Sequence, residues 1–258
     1  MVKQDKIKSA KINKLIQKLP KGLVLLSPWL VSQGYSYELQ QRYRTSEWLK
    51  SIGKGAMIRS GDSLVLQGAI TALQTQASLN IHLGGRSALE QLGVAHYLQI
   101  NSQETILFID GNSSLPLWFT NNQWNTEIKL FRISLFKDRG IGLTDYQVGE
   151  LTMKISNAAR AMMECLSLCP QRFPLIEAYE LMEGLPMLRP VQVQILLEQC
   201  KSVKTKRLFL YFAEKAGHAW FKYIDTKQVN LGAGVRSLAT DGTFVPKYQL
   251  VLPKELVL

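Results

Sequence analysis

Between Ser36 and Arg59 the residue order leaves little freedom in what the chain can build. Ser36 is placed to cap a helix in which Tyr37, Gln40, Gln41 and Arg44 fall at i, i+3, i+4 and i+7 on one polar face, with Leu39 and Tyr43 turned toward a core. Such a stripe is either a solvated helix face or a surface that reads base edges, because Arg and Gln form paired hydrogen bonds with guanine or adenine in a major groove. The flanking residues favour the second reading. Upstream, Ser27-Pro28-Trp29-Leu30-Val31-Ser32-Gln33-Gly34 offers an N-cap serine, a proline at the first helical position and a glycine just past the end. Downstream, Ser46 to Ile52 reads as a short helical turn with Trp48, Leu49 and Ile52 on its apolar side. Ala56 to Arg59 and Ser63 to Leu66 then read as a hairpin turning at Ser60-Gly61-Asp62. Helix, turn, helix, hairpin is the winged-helix order. It makes Tyr37, Gln40, Gln41, Arg42, Arg44, Lys50, Lys54 and Arg59 the candidate DNA-contacting residues, with Lys54 and Arg59 beside the phosphate backbone.

The charge distribution points the same way. Residues 1 to 80 contain 12 Lys or Arg against 4 Asp or Glu, while the other 178 residues contain 19 against 16, so the net +11 is mostly an N-terminal property. Clustered cations attract polyanions because phosphate binding releases condensed counterions, and an anionic membrane surface attracts them too. The first 20 residues set Lys3, Lys6, Lys8, Lys11, Lys14 and Lys18 around an apolar row of Ile12, Leu15, Ile16 and Leu19. That pattern fits a first core-docked helix better than a membrane-surface helix. No continuous apolar stretch follows the charges as in a secretory signal, and no run approaches a membrane span, so a cytoplasmic protein without a membrane partner is expected.

With 46% hydrophobic and 20% charged residues, the 258-residue chain is long enough for one large or two to three small domains. Charge clustering ends near Leu79, which divides the chain into residues 1–80 and 81–258, the latter with a possible internal split near 155. Past the boundary, Leu79 to Leu83 reads as a strand, Gly84-Gly85 as a turn and Ser87 to Leu92 as a helix. Thr105 to Asp110, Leu115 to Phe119 and Glu127 to Ser134 read as strands. Asn157 to Cys169, Pro174 to Gly184, Pro190 to Lys201 and Thr205 to Lys215 read as helices, followed by strands at Ala219 to Ile224 and Tyr248 to Leu252. The expected fold class is α+β: an N-terminal winged helix-turn-helix domain and a larger mixed α/β C-terminal domain.

The chain offers no catalytic constellation to defend. HExxH, GxSxG and GxxxxGK[ST] are absent, and Gly232-Ala233-Gly234 lacks the third glycine of a dinucleotide fingerprint and reads as a turn. Gly111-Asn112-Ser113-Ser114 is not followed by the Asp-x-Asp that nucleotidyl transfer needs to hold metal. Glu177, Glu180 and Glu183 read as a solvated helix face. The odd set Cys165, Cys169 and Cys200 suits a reducing compartment, and His82, His96 and His218 are too scattered to complete a metal site, so neither metal nor cofactor is expected. Lys201, Lys204, Lys206 and Arg207 precede an apolar run and form either a basic docking patch or the solvated start of a buried helix.

Several of these segments together resemble the AbiEi antitoxin family. They are Tyr43-x-x-Ser46-x-Trp48-Leu49 running into Gly53-Lys54-Gly55-Ala56, Gly84-Gly85-Arg86-Ser87-Ala88-Leu89-Glu90-Gln91-Leu92-Gly93 with His96-Tyr97-Leu98, Ile155-Ser156-Asn157-Ala158-Ala159-Arg160-Ala161, and Lys206-Arg207-Leu208-Phe209-Leu210 with His218-Ala219-Trp220. The resemblance implies the antitoxin half of a type IV toxin-antitoxin operon linked to abortive phage infection. It further implies a winged-helix domain that represses the chain's own promoter, at an operator with inverted repeats, and a C-terminal antitoxin domain. The implied toxin is nucleotidyltransferase-like and is countered without a stable complex. One departure stands out: the family pattern commonly has Ser-Gly-Trp where this chain has Ser46-Glu47-Trp48. The rival expectation is a winged-helix regulator whose C-terminal domain senses a small molecule.

Overall fold

The computed structural model describes residues 12–94, 104–111 and 113–257. By packing, the chain falls into two compact units, neither continuous in sequence. One comprises Met1–His82, Gly111–Glu127 and Asp145–Lys154, and the other Leu83–Asp110, Ile128–Thr144 and Ile155–Leu258.

The first unit begins with α1, helical over residues 12–18, in which Ile12 and Leu15 are buried while Lys14 and Lys18 are exposed. Its apolar row therefore packs inside protein. The lysines at 3, 6, 8 and 11 lie outside the described residues. Next come β1 (Leu25–Leu26), α2 (Ser27–Ser32), α3 (Tyr37–Thr45), β2 (Leu49–Gly53), β3 (Ala56–Arg59) and α4 (Leu66–Thr75). The three strands form an antiparallel sheet in the order β1-β3-β2, with Leu25 opposite Met57 and Ser51 opposite Met57 on its other side. Leu30, Tyr43, Leu49, Met57, Ile58, Ile70 and Leu73 are among the residues of the core. Apolar burial of this kind, at about 25 cal/mol per Å², is what holds so short a set of elements together.

Three expectations about this region need correction. Ser46 to Ile52 is not helical: α3 stops at Thr45, and the chain turns into β2. The stop is a Schellman motif, in which Trp48 N–H donates to the Tyr43 carbonyl (2.9 Å) and Glu47 N–H to the Arg44 carbonyl (3.1 Å). Glu47 takes the left-handed position of that motif with φ 56°. The hairpin is accordingly built one strand earlier than expected, from β2 and β3, and turns at Lys54-Gly55, where Gly53 and Gly55 both have positive φ. Ser60-Gly61-Asp62 is still a turn, but it leads toward α4, and Ser63 to Leu66 is not a strand. Ser27 proves to be the first residue of α2 rather than its cap.

The second unit is built on α5 (Gly85–Gln91), α7 (Ala158–Leu168), α8 (Leu175–Glu183), α9 (Pro190–Gln199) and α10 (Val203–Lys215). Asn157 caps α7 by accepting from Arg160 N–H at 2.9 Å, and Ser202 caps α10 in the same way. Met162, Met163, Leu166, Met182, Leu197, Leu208, Phe209 and Phe212 interleave in its core. A small sheet of β9 (Arg236–Ser237), β10 (Thr243–Val245) and β11 (Leu250–Leu252) has the order β10-β11-β9. The remaining strands are β4 (Ile81–Leu83), β5 (Glu104–Ile109), β6 (Glu127–Arg132), β7 (Leu143–Val148) and β8 (Leu151–Ser156), in the order β6-β5-β4-β8-β7. The adjacent strands β7 and β8 were not anticipated, although β8 alternates Leu151, Met153 and Ile155 inward in the strand period.

Two further strand expectations fail. Leu115 to Phe119 contains the short helix α6 (Leu117–Thr120), begun at Pro116, which suits a helix start because it lacks the N–H that would go unpaired there. Ala219 to Ile224 holds a 3₁₀ turn at Phe221–Tyr223, pinned by Trp220, whose indole N–H donates to the Leu185 carbonyl at 2.9 Å. Aromatic content alone reads as strand, whereas this aromatic run is fixed by its tertiary partners.

Candidate nucleic-acid interface

Ser36 caps α3 as its sequence suggests, its hydroxyl accepting from Leu39 N–H at 3.3 Å. The helix docks through Tyr43 and leaves Tyr37, Glu38, Gln41, Arg42, Arg44 and Thr45 exposed. Facing part of this surface is the β2–β3 turn. Between them runs an open cleft of about 610 Å³, lined by Ser27, Pro28, Tyr37, Glu38, Gln41, Arg44, Ser51, Gly53, Lys54, Gly55, Ala56 and Met57. Arg44 leans across it, one guanidinium nitrogen 3.4 Å from the Met57 sulfur. On the other flank of α3 a second hollow is lined by Glu38, Gln41, Arg42, Thr45 and Ser46. Glu38 and Gln41 border both, so they form the crest of the helix.

Of the eight expected contact residues, Tyr37, Gln41, Arg44 and Lys54 come together at the cleft, and Arg42 lies on the second hollow. Gln40 is a correction. It is 1% exposed, and its amide nitrogen donates to the carbonyls of Tyr35 (2.8 Å) and Ser27 (3.2 Å), so it ties α3 to the start of α2 and is not presented to a ligand. Helical spacing put it on the polar stripe, but the stripe is wider than the exposed face. Arg59 is a second correction. Its Nε pairs with Asp62 at 3.2 Å and a terminal nitrogen donates to the Ile16 carbonyl, which anchors the strand end to α1. Lys50 is exposed, yet strand alternation places it on the opposite face from Ser51, which lines the cleft. Glu38 was not anticipated as a member of this surface.

Part of the hairpin's support comes from far along the sequence. The Asn122 side chain donates to the Ile52 carbonyl at 2.8 Å, and a Cβ on Gly53 would stand 2.7 Å from Cβ of Trp118. Gln74 likewise takes the Lys154 backbone, accepting from its N–H and donating to its carbonyl, both at 2.9 Å.

The basic cluster of the second unit is also corrected. Arg207 is 2% exposed and donates to the carbonyls of Leu231, Gly232, Gly234 and Gln249, holding the 231–234 turn; burial lowers its pKa. Lys206 is 5% exposed, and Lys204 donates to the Ser167 and Cys169 carbonyls. Lys201 alone is exposed, donating to the Ser134 hydroxyl at 2.8 Å. Arg207 and Lys204 organise backbone and Lys206 is buried, so the four cations do not make an exposed docking patch. The same holds at the buried Glu164, whose carboxylate accepts from Ser156 Oγ, Gly85 N–H and Arg160 Nε at 2.8–3.0 Å. The three cysteines are buried free thiols, and burial pushes Cys169 up to about 12 and Cys200 up to about 11. Among the described residues no three His, Cys, Asp or Glu side chains come together as a metal site, and no helix is long and apolar enough to cross a membrane.

Two short helices and a hairpin, with a larger portion of mixed helices and strands, make an α+β protein. Residues 8–100 match the family described as "Transcriptional regulator, AbiEi antitoxin N-terminal domain", and residues 102–253 match "Transcriptional regulator, AbiEi antitoxin, Type IV TA system". The chain belongs to the AbiEi antitoxin family of type IV toxin-antitoxin systems. Its fold is similar to the crystal structure of the RV2827C protein from Mycobacterium tuberculosis, with a TM-score of 0.57 at 12% identity, over 94% of this chain and 90% of that one. No curated protein matches the sequence.

Proposed function

We propose that this antitoxin is also a repressor of its own promoter, and that residues 1–80 carry a winged helix-turn-helix which binds operator DNA while residues 81–258 carry the antitoxin activity. The observation that supports this most is the juxtaposition of Tyr37, Gln41 and Arg44 on the exposed face of α3 with Lys54 at the hairpin turn. A helix face of that chemistry enters a major groove, and a hairpin cation beside it meets a phosphate. The toxin, on the family resemblance, is nucleotidyltransferase-like and is countered without a stable complex; cofactor and metal play no part in this reading.

Titration of a labelled fragment of the chain's own promoter at several salt concentrations tests the proposal. Even four phosphate contacts give a log-log slope of roughly −3.6. Arg44→Ala erodes discrimination between operator and random DNA, whereas Lys54→Ala weakens both alike. A flat salt response, or an Arg44→Ala variant that lowers both affinities by one factor, overturns it.

A further inference from the structure

Glu38 is an acidic side chain in the middle of a surface otherwise suited to a polyanion, since the first 80 residues carry 12 cations against 4 acids. Two structural roles are open to it. As an acid in the first turn of α3 it favours the helix dipole, and Arg42 lies at i+4, where an ion pair would brace the helix. Ser36 already caps that end, however, and among the described residues the Glu38 carboxylate makes no ion pair with Arg42 or any other cation. The side chain is exposed on the crest of α3 beside Gln41, bordering the cleft on one side and the second hollow on the other. The N-terminal residues of a recognition helix are those that meet base edges.

A carboxylate accepts hydrogen bonds and donates none. In the major groove the amino donors are cytosine N4 and adenine N6, and adenine sets its N7 acceptor beside N6, where it repels a second acceptor. Cytosine presents no such neighbour. Resting on the DNA-binding reading above, we propose that Glu38 is a specificity-determining residue which accepts from the N4 amino group of a cytosine, so that each half-site bears a C·G pair opposite the first turn of α3. The same negative charge, set among phosphates, suppresses binding to every other sequence.

The test is selection of bound duplexes from a randomised library by the full chain, followed by sequencing, for the wild type, Glu38→Gln and Glu38→Ala. The wild type enriches cytosine at one position per half-site, by about five- to a hundredfold over the other bases. Both variants lose that enrichment, Glu38→Gln turning toward adenine, while the other positions keep theirs and affinity for random DNA rises. Cytosine enrichment unchanged in both variants overturns the proposal. So does a uniform loss at all positions with a lowered melting temperature, the signature of a helix-start role. A wild-type chain that enriches no sequence overturns the DNA-binding reading itself, and this inference with it.

Discussion

Glu47 shows how a single side chain can sit against the grain of its backbone. The Schellman stop of α3 needs a left-handed residue there, and at φ 56° glycine is the residue that carries no Cβ penalty. A glycine at this position, as in the Ser-Gly-Trp order that the resemblance implies, would carry no such penalty. A left-handed residue with a Cβ costs about 1–2 kcal/mol, part of which is offset because glycine loses more freedom on folding. Glu47→Gly is therefore expected to stabilise the chain by about 0.5–1 kcal/mol, read as a higher midpoint in a thermal or denaturant melt. On the proposed DNA-binding role, removing the charge is also expected to tighten binding to random DNA. A lower midpoint would show that Glu47 makes a compensating interaction. Gln40 teaches the complementary lesson. Its polarity suggests a contact with a ligand, but its amide nitrogen donates to two backbone carbonyls, those of Ser27 and Tyr35.

At the scale of the element, the hairpin turn is fixed by the space behind it. Gly53 combines φ 149° with an approach to Trp118 that leaves no room for a methyl group, while Asn122 holds the Ile52 carbonyl next door. Gly53→Ala is expected to lower the melting temperature, by an amount corresponding to at least about 1 kcal/mol, and to displace Lys54. The DNA readout is a uniform loss of affinity across sequences, since a misplaced phosphate contact carries no base preference. An unchanged midpoint would mean that the turn moves away from Trp118 at no cost.

At the scale of the molecule, the β2–β3 hairpin and α4 pack with residues that the chain delivers much later. Segments 111–127 and 145–154 belong to the same compact unit as residues 1–82. They supply Trp118 and Asn122 at the hairpin, Lys154 to Gln74, and Glu150, which accepts from Lys21 N–H at 3.1 Å. A fragment of residues 1–80 is thus expected to melt at a lower temperature and less cooperatively than the same elements in the full chain, as followed by circular dichroism. It should also bind the promoter fragment more weakly despite keeping its twelve cations. A fragment that matches the full chain in both respects would show that the later segments add nothing to its stability.

Local chemistry determined a good deal by itself. Ser36 and Asn157 mark helix starts because their side chains reach N–H groups two or three residues on, Gly34 and Gly93 mark helix ends because they tolerate positive φ, and the four long C-terminal helices follow from apolar spacing between Pro and Gly signals. Charge bias located the basic end, since composition needs no fold to be read. What no local signal carried was which polar residues would be used up inside the protein. Gln40, Arg59, Lys204 and Arg207 were all eligible for an exposed surface by type and spacing, and each is instead committed to buried or half-buried contacts made by residues distant in sequence. Tertiary packing alone decided that, because an unpaired backbone carbonyl buried by the fold draws whichever donor lies within reach.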